Sequence, residues 1–161
     1  MTSAARVLEL LGQRGATLAT AESVTGGRVA AALTAVPGSS ACFLGGVVAY
    51  ATEVKESVLG VPASVIAGHG VVSSACASAM ASGVRDLTGA TYAVSTTGVA
   101  GPGEQDGVRP GTVYVGVAGP GSPTAVALEL SGDRATVQEQ ATREALSAVA
   151  AILDVEETGL G

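Results

Sequence analysis

Apolar residues at Ala4, Val7, Leu8 and Leu11 recur at the spacing of one helix face. They predict a helix from a Ser3 cap to Arg14, stopped by Gly15. Ala16 to Thr20 reads as a short strand, followed by AESVTGG and an alanine-rich helix from Gly27 to Ala35 that ends at Val36-Pro37-Gly38. The continuous apolar run Phe43 to Tyr50, rich in β-branched residues, suits a buried strand. Thr52 to Leu59 predicts a short helix. Ser64 to Gly70 predicts one more helical turn and a loop. A longer helix follows, capped by Ser73 or Ser74 and reaching Leu87. Thr91 to Thr97 is a strand that leads into GVAGPGEQDG, a stretch no helix crosses. Gly111 to Ala118 and Thr124 to Leu130 are strands joined by a Gly/Pro hairpin signal. Asp133 then caps a final helix to Leu153, and residues 154–161 read as a frayed tail.

The predicted order is α β α β α α β β β α. Helical crossovers between the first three strands imply parallel pairs there, and the late hairpin adds an antiparallel strand. The expectation is one domain over residues 1–161: a three-layer α/β/α sandwich with a five-stranded mixed, mostly parallel sheet.

Composition narrows the chemistry. The chain is 47% hydrophobic but only 2% aromatic, so Ala, Val, Leu and Ile must build the core. A net charge of −6 argues against nucleic acid as a partner, and an anionic ligand must then be held by backbone N–H groups and one or two arginines. The two cysteines, Cys42 and Cys76, lie in apolar stretches and read as buried thiols. With a single histidine, a Cys/His zinc site is nearly excluded, and no metal or cofactor is expected. No apolar run reaches the roughly 20 residues that span a bilayer, and the first residues read as an amphipathic helix and not a signal peptide, so a cytoplasmic location with no membrane partner is expected.

Three stretches can carry chemistry. In AESVTGG, Ser23 stands at the carboxyl end of a strand, where open α/β sheets bind ligands. Thr25, Gly26 and Gly27 open the next helix, whose N–H groups and dipole favour negative charge and can stabilise an oxyanion. Taken alone, this stretch is better explained by an N-cap and a tight turn, since strand-turn-helix with Ser and Gly is very common. In YATEVK, Tyr50 ends a strand and Lys55 is the only lysine of the chain. Every other cation is arginine, so Lys55 either is a solvated helix residue or does something arginine cannot. Lysine can lose its proton when desolvated, and a Ser–Lys pair requires that. In TTGVAGPGEQDGVRPGT, Thr97, Gly98 and Gly101 leave a strand end and Arg109 can pair with phosphate or carboxylate; the alternative is a long solvated loop. His69 has no evident partner. Glu22 can orient a base or cap backbone donors, Glu53 can support Lys55 or face solvent, and Asp133-Arg134 most simply starts the last helix.

Together, TLATAESVTGG, VVAYATEVKESVLGV, HGVVSSACASAMASGV, YAVSTTGVAGPG, GTVYVGVA and SGDRATVQEQAT run in order over nearly all of residues 5–150, and in this the chain resembles the CinA C-terminal domain family. That family includes competence/damage-inducible proteins and stand-alone nicotinamide-nucleotide amidases. The resemblance implies hydrolysis of the carboxamide of nicotinamide mononucleotide, with Ser23 as nucleophile, Lys55 as base and Tyr50 beside them, no metal, and a homodimer. Thr52 stands where the family commonly has Asn, Val24 where it has Cys or Leu, and Arg109 where Lys is frequent. The nucleotide-processing domain that precedes this one in longer members is absent from the sequence, implying the stand-alone form or an excised piece. Two other readings stay open: a non-catalytic ligand- or protein-binding module, and an amidase with another substrate.

Overall fold

The computed structural model describes residues 1–157 and 159. The elements are α1 (Ser3–Arg14), β1 (Leu18–Glu22), α2 (Arg28–Thr34), β2 (Phe43–Val48), α3 (Thr52–Ser57), α4 (Ala63–His69), α5 (Ser74–Thr88), β3 (Tyr92–Gly98), β4 (Thr112–Ala118), β5 (Thr124–Glu129) and α6 (Arg134–Glu157), with a 3-10 turn at Ser39–Ala41. The sheet order is β2-β1-β3-β4-β5. β1 pairs parallel with β2 and with β3, while β3–β4 and β4–β5 are antiparallel. The fold is therefore the expected mixed α/β sheet, but its pairs divide evenly between parallel and antiparallel, which corrects the expectation of a mostly parallel sheet. The reason lies in residues 99–111: they hold no helix, so the chain turns back beside β3 instead of crossing over.

Two cores flank the sheet. On one face, Val7, Leu10 and Leu11 of α1, Val29 and Leu33 of α2, and Leu146 and Val149 of α6 pack against Leu18, Val94 and Val115. On the other, Cys76, Met80 and Val84 of α5 pack on Ala19, Ala21 and Ala93. The second face is made of small residues because α5 sits very close to the sheet. A Cβ placed on Gly116 would come within 2.3 Å of the Ala77 carbonyl oxygen. Small side chains at the sheet centre thus let α5 lie close against β1, β3 and β4.

Several boundaries differ from the sequence reading, each for a local reason. Thr2, not Ser3, caps α1, accepting from the Ala5 N–H at 3.1 Å. β1 runs two residues beyond Thr20, because Ala21 and the carboxylate-bearing Glu22 are both buried within the strand. β2 ends at Val48, although the Ala49 N–H still donates to the Glu22 carbonyl. α6 continues past Leu153 to Glu157, held by an Arg6–Asp154 ion pair at 3.0 Å and by the Tyr92 hydroxyl donating to Glu156. Residues 154–157 are accordingly helical and not frayed; residues 158, 160 and 161 of the expected tail lie outside the described residues.

Candidate active site

Ser23 follows β1 directly, and its N–H donates to the Thr96 carbonyl at 3.0 Å, carrying the ladder with β3 one residue further. The chain then turns through Gly26 and Gly27, whose φ values of 57° and 104° are left-handed and suit glycine. Glu22 holds this turn. Its carboxylate, 2% exposed, accepts from the Thr25 hydroxyl (2.6 Å), the Val29 N–H (2.8 Å) and the Ala30 N–H (3.0 Å). The first free N–H groups of α2 are thus capped by a side chain from the preceding strand. This answers the alternative posed for Glu22: it caps backbone donors and does not touch Lys55. It also corrects the expected anion site at this helix start, since the protein's own carboxylate occupies it.

Lys55 reaches into the turn from α3 and is 2% exposed. Its Nζ lies 2.9 Å from Ser23 Oγ, 2.9 Å from the Ala49 carbonyl oxygen and 3.1 Å from the Tyr50 carbonyl oxygen. Burial pushes the Lys55 amine below its ordinary 10.5, opposed by its charge interaction with Cys76. Burial in turn pushes the Cys76 thiol up, opposed by Lys55. The geometry accommodates the neutral amine that this shift favours. A neutral amine has two hydrogens and one lone pair; two carbonyls take the hydrogens, and the remaining direction faces the Ser23 hydroxyl.

These groups open into a cleft of about 330 Å³. Ser23, Tyr50, Lys55, Thr97, Gly98 and Gly101 all line it, so the structure brings together both predicted dyad members, Tyr50 and three residues of the long loop segment. The Thr97 hydroxyl donates to the Val71 carbonyl at 2.6 Å and so fixes the Val71–Val72 wall. Thr52, the position of departure from the family pattern, lines the same cleft. Thr25, Gly26 and Gly27 do not: Thr25 is fully buried, 2.7 Å from the Thr96 hydroxyl, and forms the back of the turn. Arg109 does not either. It is exposed and lies 3.6 Å from Glu129. His69 ends α4 and, like Glu53, is not among the cleft residues.

Two residues missed in the sequence come from α6. Arg134 lines the cleft, and its guanidinium donates to the Gly101 carbonyl (2.8 Å) and to the Tyr50 hydroxyl (2.9 Å), joining the loop to the end of β2. Gln138, one helical turn on, is 8% exposed and donates to the Val24 carbonyl at 3.3 Å. The available signal for Gln138 was a polar residue at i+4 from Arg134 on the face that also carries Val137 and Ala141. Glu104 and Gln105 also line the cleft. Among the described residues no group of three His, Cys, Asp or Glu side chains converges as metal ligands, and no helix is long and apolar enough to cross a membrane.

The fold and site define a class: a three-layer α/β/α protein with a buried Ser–Lys pair at the carboxyl ends of its central strands. The model of the CinA C-terminal domain matches residues 1–153, and the chain belongs to that family. A CinA-like protein of Frankia casuarinae is 52% identical over 147 residues, covering 91% of this chain and 34% of its own length. One from Myxococcus xanthus is 51% identical over 137 residues, covering 84% of this chain and 32% of its own length. The chain thus spans about a third of these relatives. The crystal structure of a competence-damaged protein (CinA) superfamily member from Klebsiella pneumoniae superposes with a TM-score of 0.91 at 39% identity, covering 94% of this chain and 96% of that one. The competence/damage inducible protein CihA of Agrobacterium tumefaciens gives 0.89 at 32% identity, covering 94% and 93%.

Proposed function

We propose that this cleft hydrolyses the carboxamide of nicotinamide mononucleotide to nicotinate mononucleotide and ammonia, a step in pyridine nucleotide recycling. The observation that carries the chemistry is the 2.9 Å contact between Ser23 Oγ and a buried Lys55 whose other two donors are already engaged by backbone carbonyls. Neutral Lys55 takes the Ser23 proton as Oγ attacks the carboxamide carbon. The negative charge that develops on the carbonyl oxygen faces the N–H of Val24, a cleft residue. It has no acceptor among the described residues, whereas the Gly26 N–H is spent on the Ser23 carbonyl at 3.1 Å. The tetrahedral adduct collapses, the C–N bond breaks, and nitrogen leaves as ammonia with the proton carried by Lys55. Water, giving a proton to Lys55, then attacks the Ser23 ester; the acid departs and Oγ recovers its proton.

The substrate follows from charge as well as family resemblance. The amide of this nucleotide sits on a cationic ring, which makes its carbonyl carbon more electrophilic and suits a chain of net charge −6. Its phosphate is anionic and needs a cation at the rim, where Arg134 stands with N–H donors turned towards the cleft loop. That assigns to Arg134 the contact that sequence reasoning gave to Arg109.

The test is ammonia release from nicotinamide mononucleotide by the purified chain and by Ser23→Ala. Turnover in the first and its loss by at least about a thousandfold in the second supports the reading. Turnover in both removes Ser23 as nucleophile. No ammonia from the unmodified chain points instead to a binding module or to another amide.

A further inference from the structure

The cleft carries four side-chain hydroxyls, on Ser23, Tyr50, Thr52 and Thr97. Three of them are engaged. Ser23 Oγ is paired with Lys55 Nζ at 2.9 Å, the Tyr50 hydroxyl accepts from Arg134 at 2.9 Å, and the Thr97 hydroxyl donates to the Val71 carbonyl at 2.6 Å. The Thr52 hydroxyl makes no hydrogen bond among the described residues. Thr52 is half-buried and opens α3, three residues before Lys55. Residues at i and i+3 are neighbours on one helix face, with Cβ atoms about 5–6 Å apart. Thr52 therefore shares the face of α3 from which Lys55 reaches Ser23, and it lines the same cleft. The other cleft side chains with unspent acceptors, Glu104 and Gln105, belong to the exposed loop at the rim.

We infer that Thr52 is a specificity-determining residue: its hydroxyl oxygen accepts a hydrogen bond from the NH2 group of the substrate carboxamide, so that the cleft prefers a primary amide to an ester. This rests on the amidase reading above and names the part of the substrate that Thr52 reads. The placement of the amide follows from the groups around it. Its carbon must lie against Ser23 Oγ and its oxygen towards the Val24 N–H. Its nitrogen leaves with the proton carried by Lys55, so it must lie within hydrogen-bond reach of Nζ, on the α3 side of the cleft. The Ala49 and Tyr50 carbonyls on that side are taken by Lys55 at 2.9 Å and 3.1 Å. The free acceptor left there is the Thr52 hydroxyl, whose oxygen has two lone pairs. An N–H held by Thr52 fixes the rotation of the NH2 group as the C–N bond loses its double-bond character, and turns the new nitrogen lone pair to Lys55. An ester presents an alkoxy oxygen at this place, which has no hydrogen to give and is a weak acceptor. A site built to bind an N–H discriminates against the analogue that lacks it.

The test uses Thr52→Val, which keeps the branched shape and removes the hydroxyl, and Thr52→Ser, which keeps the hydroxyl. Each is assayed beside thermal melting with nicotinamide mononucleotide and with the methyl ester of nicotinate mononucleotide. The two compounds share ring, ribose and phosphate, and form the same bond to Ser23 Oγ. One loses ammonia as its C–N bond breaks, the other methanol as its C–O bond breaks, each with the proton from Lys55. We expect kcat/KM for ammonia release to fall about 5- to 30-fold in Thr52→Val, with ester hydrolysis within about twofold and Thr52→Ser within about threefold of the parent on both. Equal losses on the two substrates, no loss on the amide, or a Ser variant as poor as the Val variant would overturn the inference. If the parent releases no ammonia, the amidase reading fails, and binding of the two compounds to Ser23→Ala with and without Thr52→Val decides the role of Thr52. A loss of at least about threefold confined to the amide supports it, and equal or absent binding overturns it.

Discussion

The segments that leave β1 and β3 line the same cleft and are built on opposite plans. Residues 23–27 form a short turn in which Ser23 and Thr25 are buried, the Ser23, Val24 and Thr25 carbonyls are engaged, and the Glu22 carboxylate closes the base. Residues 99–111 form a long loop, exposed from Pro102 to Gly107, with one internal bridge between Gln105 and Val108 and a tether from Arg134 to Gly101. The first plan holds Ser23 in one orientation. The second leaves a rim that can adjust to a substrate. Precision is concentrated in the turn that carries Ser23, while the longer loop is held at its root by Arg134.

The strongest way to break this contrast is to loosen the rigid turn. Glu22→Ala leaves the Val29 and Ala30 N–H groups and the Thr25 hydroxyl without their acceptor, a cost of about 2–4 kcal/mol. We expect a melting temperature lowered by many degrees, with turnover lost even in the folded fraction. A variant that melts like the parent would show that the carboxylate is dispensable and the turn rigid for another reason.

Protonation offers a second, graded perturbation. Burial holds the Lys55 pKa below 10.5, so its neutral form is reached at lower pH than for a free lysine. Activity in kcat/KM should therefore fall as pH drops through that lowered value. The unfolded chain binds more protons than the folded one between the lowered value and 10.5. Stability contributed by this group thus rises with pH across that window and is lost as pH falls through the folded value. A kcat/KM profile still rising above pH 10.5 would contradict a depressed pKa.

Smaller effects are expected at the rim. Arg134→Ala should raise KM about 5- to 20-fold with kcat within about threefold, since it removes the proposed phosphate partner and the tether to Gly101 while leaving Ser23 and Lys55 in place. Arg109→Ala should change KM less than twofold and stability by about 0.5 kcal/mol or less, because its partner Glu129 is equally exposed. If Arg109→Ala has the larger KM effect, the phosphate is held from the loop and not from α6.

Much of the architecture was legible because it rests on local pattern. The helix faces, the glycine and proline stops and the hairpin at Gly119–Pro123 are read within short windows. The even split of strand directions was not, because it depends on what residues 99–111 do in three dimensions. Ser23 and Lys55 were legible for different reasons, one by its place after a strand and the other by being the sole lysine. For Glu22 the sequence leaves open whether it orients a base or caps backbone donors, and only its three donors decide it. Arg134 and Gln138 stayed hidden because a helix start and a polar helix position look ordinary until packing shows that α6 runs past the Ser23 turn. Arg109, conspicuous beside a glycine-rich loop, was favoured for the opposite reason: the chain gives no hint that its side chain turns to β5.

The claim on which the rest depends is that a neutral Lys55 activates Ser23. Ammonia release from nicotinamide mononucleotide by the unmodified chain, with Lys55→Arg beside it, tests this most directly. Arginine retains a positive charge and hydrogen-bond donors but does not give up its proton. The account predicts turnover in the parent and a loss of at least about a thousandfold in Lys55→Arg. Turnover in Lys55→Arg within tenfold of the parent would show that Lys55 serves only as a fixed donor and that the base lies elsewhere.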